Sequence, residues 1–227
     1  MILKTEGISR IYFRGGKGTN FFHAVEKTNF QLEEGKLTEI VGRSGSGKTT
    51  FINMLGGLLT PSEGKVLLDG EDIYALDDDK RSALRNRSIG FIPQGQTGLG
   101  SFTVMENVLA PVAMYGDSSE KMGRGRELLK MVDIEDLEDV YSNELSGGEL
   151  RRMAIARALI NDPAIIIADE PTGDLDDDTT EMVLKLLKGC AEGGAAVLMV
   201  THERAALEYA DIIYRMEKGV LVQDGIS

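Results

Sequence analysis

The chain is poor in the residues that staple or stiffen small proteins: one cysteine, no tryptophan and five prolines in 227 residues. A single thiol, Cys190, excludes an internal disulfide and fits a reducing compartment. A lone cysteine among helix-forming residues is more often a small packing residue than a reactive one. No apolar run approaches the roughly 20 residues needed to cross a membrane. The start, Met1–Glu6, lacks the apolar core of a signal peptide. Positive charge is also scarce: 25 basic against 37 acidic residues, a net charge of −12. That argues against a nucleic-acid binder, which carries a basic footprint, and against docking on anionic lipid by charge alone. Neither an internal repeat nor a low-complexity tail is present. The length suffices for one large or two small domains with a real core.

What is present centres on Gly42-Arg43-Ser44-Gly45-Ser46-Gly47-Lys48-Thr49-Thr50. It fits G-x-x-x-x-G-K-[ST], the phosphate-binding loop. Glycines let successive backbone N–H groups turn inward around a triphosphate, because no Cβ blocks the unusual dihedrals. A helix from Thr49 onward points its positive dipole end at the same phosphates. Lys48 is placed to reach the β- and γ-phosphates, and the Thr49 hydroxyl to ligate Mg²⁺. A chance match in a chain of this length has odds on the order of one per cent. The apolar run Leu37–Val41 before the loop and the helical pattern Phe51, Ile52, Met54, Leu55 after it lower those odds further.

Around the loop, Ile2–Ile11 and Ala24–Leu32 read as strands, separated by a polar, glycine-rich insert, residues 14–20. Lys65–Leu68 and Ile89–Ile92 read as strands, and Asp77–Arg87 as a charged helix. From Gly95 to about Arg157 the apolar positions recur at helical spacing, with a T-x-x-E capping box at Thr103–Glu106 and a helix over Glu120–Val132. Alternation then resumes: strand Ala164–Ala168, helix Thr179–Ala191, strand Ala195–Val200, helix Glu203–Ala210. A closing hairpin is expected around Lys218-Gly219. Strands alternating with helices imply a mainly parallel sheet with the loop at a strand's carboxyl end.

Two further motifs carry chemistry. Ile165–Ala168 is an apolar strand delivering Asp169 and Glu170 at its end. Asp169 is placed to hold Mg²⁺, and Glu170 to polarise an attacking water as general base. Without the upstream loop the pair would pass for a solvated acidic turn. Leu145-Ser146-Gly147-Gly148-Glu149 is a second capping box, opening a helix through Arg151, Arg152, Ile155 and Arg157. Ser146 with the N–H groups of Gly147 and Gly148 also makes an anion site at a helix start. A second anion site in a chain that already has one suggests a nucleotide sandwiched between two chains.

The phosphate loop, Gln94, L-S-G-G-E, the Asp169-Glu170 strand and His202 stand in the order of an ABC transporter ATPase subunit, and the resemblance covers essentially the whole chain. Thr103–Val108 and residues 168–176 narrow it to the bacterial subgroup serving lipoprotein release, macrolide or peptide efflux, antimicrobial-peptide resistance and cell-division complexes. The resemblance implies an α/β fold: a P-loop NTPase core with a mainly parallel sheet, an N-terminal antiparallel β portion and an inserted helical subdomain. One domain would span 1–227, its nucleotide-binding core being 1–94 and 158–227 and its helical and signature subdomain 95–157.

It implies roles as well. Gln94 looks like the glutamine that senses Mg²⁺ and water and relays to a membrane partner. His202 looks like the histidine that contacts the γ-phosphate, and Asp176 like the aspartate that contacts the facing chain. Tyr12 looks like the aromatic that stacks on adenine, with Phe13 the rival. His23 has no such context. Three positions depart from the common pattern: Glu149 where glutamine is usual, Pro93 where an aromatic is frequent, and Asp174 where asparagine is frequent. The implied function is Mg²⁺-dependent ATP hydrolysis in a homodimer or heterodimer of ATPase subunits. That dimer would drive a separate integral membrane permease from the cytoplasmic side, exporting or extracting a peptide, lipoprotein or drug-like substrate, with no nucleic-acid partner. The alternative is a regulatory ATPase of a cell-division or wall-remodelling complex without a transported substrate.

Overall fold

The computed structural model describes residues 1–14, 20–95, 97–173, 175–202 and 204–224, without the side chains of residues 14, 20 and 204. Among the described residues the strands form two sheets. The first is antiparallel: β1 (Leu3–Arg14) and β2 (Asn20–Leu32) make a long hairpin, joined by β4 (Glu63–Leu68) and the short β5 (Glu71–Asp72) in the order β2-β1-β4-β5. The second runs β10-β9-β3-β8-β7-β6, built from β3 (Leu37–Val41), β6 (Ile89–Ile92), β7 (Ile165–Asp169), β8 (Ala196–Val200), β9 (Ile212–Glu217) and β10 (Val220–Gln223). Its neighbours pair in parallel except at the β9–β10 hairpin.

The sequences of β7 and β8, IIIAD and AVLMV, explain their place. Near-continuous apolar strands suit a parallel sheet covered on both faces. Their alternate residues serve two cores. Ile166, Ala168, Val197 and Met199 pack with α3 (Val104–Ala113), α4 (Met122–Met131), α5 (Gly147–Leu159) and α6 (Asp177–Glu192). Ile165, Ile167, Leu198 and Val200 pack with α1 (Lys48–Leu55) and the antiparallel sheet. Helix α2 (Asp78–Ser88) leads directly into β6.

The expected elements are present, with three differences. The hairpin strands extend further than Ile2–Ile11 and Ala24–Leu32, because aromatic pairs Tyr12↔Phe22 and Phe13↔Phe21 continue the ladder towards the insert. The helix expected over Glu120–Val132 opens as a 3₁₀ turn at Ser118–Lys121, where the Asp117 carboxylate accepts from the Ser119 N–H, before α4 begins. The helix expected over Glu203–Ala210 is a 3₁₀ turn, Arg204–Glu208. The chain is pinned immediately afterwards. Asp211 donates its N–H to the Leu37 carbonyl and accepts from the Leu37 N–H through its carboxylate, leaving room for little more than one turn.

Candidate functional site

The loop between β3 and α1 is shaped by close backbone approaches. Gly47, at φ 111°, precedes α1, and a Cβ there would lie 2.1 Å from the Ala24 carbonyl oxygen of β2. A Cβ on Gly42 would lie 2.3 Å from the Met216 carbonyl oxygen of β9. Only glycine fits at either place. The β9–β10 turn braces the loop from outside, the Gly219 N–H donating to the Ser46 carbonyl at 2.8 Å. Lys48 is nine-tenths buried and donates from Nζ to the Gly42 and Arg43 carbonyls at 2.7 and 3.3 Å. The loop thus folds around its own lysine.

A cavity of about 510 Å³ opens over this loop. It gathers Tyr12, Gly42, Ser44, Gly45, Ser46, Gly47, Lys48, Thr49, Thr50, Gln94, Asp169, Glu170 and His202, most of the residues singled out in the sequence. The parallel register explains the convergence. Ile40 of β3, Val200 of β8 and Asp169 of β7 lie in one row, so the carboxyl ends of three strands meet beside α1. Gln94 follows β6, the next strand over.

Asp169 is nearly fully buried, and burial raises its carboxyl above the ordinary carboxylate value against an opposing hydrogen bond from the Thr49 side chain. Its Oδ1 has no hydrogen-bond partner, and neither does the buried Ser46 Oγ. Buried polar atoms are rarely left so. An orphaned carboxylate oxygen beside a hydroxyl suits a hard cation, and an orphaned hydroxyl suits a phosphate oxygen. Among the described residues no group of three or more His, Cys, Asp or Glu could hold a metal ion. A cation here would therefore draw further oxygens from a bound phosphate, as Mg²⁺ sites commonly do.

Glu170 is held in the left-handed region, φ 50°, with its N–H donating to the Val200 carbonyl at 2.7 Å. Its Oε2 stands 2.9 Å from Nδ1 of His202, which is exposed at the end of β8. An imidazole at that distance fixes the carboxylate's direction. The pair has the makings of a positioned base over the phosphate loop.

The second motif lies elsewhere. Ser146 caps α5 in a full capping box, its N–H donating to Glu149 Oε2 at 2.7 Å and its Oγ lying 2.7 Å from the same oxygen. Hydrogen bonds from Ser146 hold the Glu149 carboxyl below the usual carboxylate value. The carboxylate has turned back onto its own helix. Residues 146–149 do not line the cavity; Gly147 and Gly148 form the first turn of α5. Asp176 caps α6, accepting from the Thr179 N–H at 2.9 Å, and is also outside the cavity. The Arg43 side chain is exposed on the outer side of the loop, beside Arg215 and Lys218. Asp174 lies outside the described residues. Phe13 points away from the cavity and packs on Phe21.

Three residues with a bearing on the site were not among those expected. Phe22 and Ala24 line the cavity. Arg151, on α5, donates to the Pro93 carbonyl at 2.8 Å, next to Gln94. The hairpin register could have found Phe22, since it stands directly across from Tyr12. No sequence signal singles out Arg151 as a strut.

Comparison with known proteins agrees with this geometry. The family model described as ABC transporter matches residues 25–173. The lipoprotein-releasing system ATP-binding protein LolD of Chromohalobacter salexigens is 38% identical over 99% of this chain and 94% of the relative. The macrolide export ATP-binding/permease protein MacB of Mannheimia succiniciproducens is also 38% identical, over 98% of this chain but only 34% of its own length. Among solved structures, the dimeric ABC transporter cassette MJ0796 superposes with a TM-score of 0.90 at 34% identity, covering 99% of this chain and all of that one. The same cassette in a post-hydrolysis state with ADP and Pi superposes with a TM-score of 0.89. The chain belongs to the ABC transporter family, as one of its ATP-binding, ATP-hydrolysing cassettes.

Proposed function

We propose that the chain is the energy-supplying subunit of an exporter or extractor. It would work as an ATP-dependent dimer at the cytoplasmic face of a membrane and drive a permease carried on another polypeptide. The observation that carries the hydrolytic reading is the meeting of Lys48, Thr49, Asp169, Glu170 and His202 around one cavity. Thr49, Asp169 and Gln94 would hold Mg²⁺, which would supply positive charge beside the phosphates. Lys48 exchanges the Gly42 and Arg43 carbonyls for phosphate oxygens. The backbone N–H groups of residues 43–50 cradle the phosphates at the α1 N-terminus. Glu170 takes the proton of the attacking water, and His202 holds the carboxylate in line while reaching towards the γ-phosphate. Tyr12 supports the base. Ser146, Gly147, Gly148 and Glu149, with Asp176, serve the facing chain, since they lie away from their own cradle.

The permease reading draws support from LolD, matched nearly end to end and named as the ATP-binding part of a releasing system. No described helix is long and apolar enough to cross a membrane. A groove of about 240 Å³ between α2–β6 and α3–α5, with exposed Leu58 and Met114 at its side and Arg85, Asn86 and Asn161 among its lining, would offer a protein partner a mixed apolar and polar seat. The names of the relatives, lipoprotein release and macrolide export, favour a lipidated, peptidic or drug-like substrate moved outward. They do not favour the regulatory division ATPase.

Glu170→Gln tests the chemistry. The amide keeps the shape and loses the basicity, so hydrolysis should fall by roughly two to four orders of magnitude while ATP binding persists. Size exclusion should then show a dimer with ATP and a monomer without it. A variant that hydrolyses at the normal rate removes Glu170 as the base.

A further inference from the structure

Strand β2 lies against the phosphate loop at a fixed point, because the Ala24 carbonyl sits where a Cβ on Gly47 would be. Phe22 comes two residues before Ala24 on β2, beyond the register shift that leaves Ala24 without a partner between the Arg10↔Val25 and Ile11↔His23 pairs, and lines the same cavity. Phe22 stands directly across from Tyr12 in the hairpin register. Opposed residues share a face, so both rings lie on the cavity side while Phe13 and Phe21 occupy the other. The Tyr12 and Phe22 rings are nearly parallel, 21° between planes with centroids 6.4 Å apart. Apart from Tyr12, the polar side chains lining the cavity come from residues 44–50 of the phosphate loop and its helix and from Gln94, Asp169, Glu170 and His202. Tyr12, Phe22 and Ala24 make the remaining wall.

We propose that Phe22 is a second base-contacting residue, extending the Tyr12 platform so that the two strands of one hairpin together carry the adenine. The assignment rests on the nucleotide-cassette reading and adds to it a specificity element supplied by β2. Both rings line the cavity, Arg10 lies over the Tyr12 ring at 4.8 Å, and Phe22 is 38% exposed. The site selects a flat aromatic surface, since base–aromatic stacking needs no base-edge contact.

The test compares ATP with inorganic tripolyphosphate, each with Mg²⁺, binding to the full chain by calorimetry. Phe22→Ala should weaken ATP roughly tenfold, as loss of one stacking contact does, and leave tripolyphosphate unchanged. Phe22→Leu keeps an apolar side chain in the hairpin and removes the ring. It should also weaken ATP selectively, and it carries the test if the alanine variant fails to fold. Equal losses for ATP and tripolyphosphate, or no loss for ATP in the leucine variant, would overturn the assignment. Failure of the wild-type chain to bind either ligand would instead overturn the cassette reading beneath it.

Discussion

Glu39 is the least expected residue in the structure. It sits in the middle of β3, fully buried, and neither carboxylate oxygen has a hydrogen-bond partner. Burial first, and the nearby Glu170 carboxylate second, push its carboxyl from 4.5 up to about 7. The consequence for stability has a definite sign. Below pH 4.5 both folded and unfolded chains hold the proton, and no penalty arises. As pH rises to about 7 the unfolded chain releases it while the folded chain must either keep it or bury a charge, so stability is lost across that window. Glu39→Gln should melt like the wild type near pH 4.5 after a constant offset, and gain about 2 kcal/mol on it by pH 8, once screening by water is discounted. Thermal melts at both values check this; a difference independent of pH would mean that the carboxyl does not titrate with folding. A buried acid in an apolar strand cannot be foreseen from pattern, which marks Glu39 only as a polar break in L-T-E-I-V. The phosphate-loop and Asp169-Glu170 positions were legible because their chemistry forces fixed spacings. Tyr12 against Phe13 was not, because a one-residue choice of strand face depends on pairing across the insert at residues 14–20.

At the scale of elements, capping chemistry was the most readable signal. Both T-x-x-E at Thr103 and S-x-x-E at Ser146 form reciprocal capping boxes, since side chain and backbone of neighbouring residues decide them. The 3₁₀ turn at Arg204–Glu208 was less readable, because the Asp211 clamp on Leu37 that shortens it comes from 174 residues away in sequence. The N-terminus of α5 also bears on dimer lifetime. If a facing triphosphate comes to Ser146, it meets a carboxylate already engaged there. Glu149→Gln retains an acceptor for the cap and removes the repulsive charge. In the Glu170→Gln background it should lengthen the ATP-bound dimer's lifetime severalfold, read as the dissociation rate after dilution. An unchanged or shortened lifetime would place Glu149 clear of the nucleotide.

For the whole molecule, the separation of two half-sites makes a mixing experiment decisive. Lys48→Ala removes the cation of the cradle and leaves Ser146–Glu149 intact. Ser146→Arg blocks the start of α5 and leaves the cradle intact. Each homodimer should be inactive. A cross-linked mixed dimer pairs one good cradle with one good helix start, and ATP should occupy that interface alone. Closed, occupied sites in dimers lacking any intact pair would refute the shared arrangement. The acidic surface, net −12, fits a chain whose contacts are made by shape and specific groups on protein partners.

Helix α5 joins these scales. It begins at Ser146, and along its 13 residues Arg151 grips the Pro93 carbonyl and Arg157 the Thr97 hydroxyl. Both anchors flank Gln94, which faces the chain's own cradle. A helix of that length, about 20 Å, moves as a rod and does not stretch. A displacement imposed at its tip by an arriving partner would be delivered through those two hydrogen bonds to the glutamine loop. Two chains built this way would act as a pair of crossed push-rods, each reporting to its own nucleotide whether the other chain has closed.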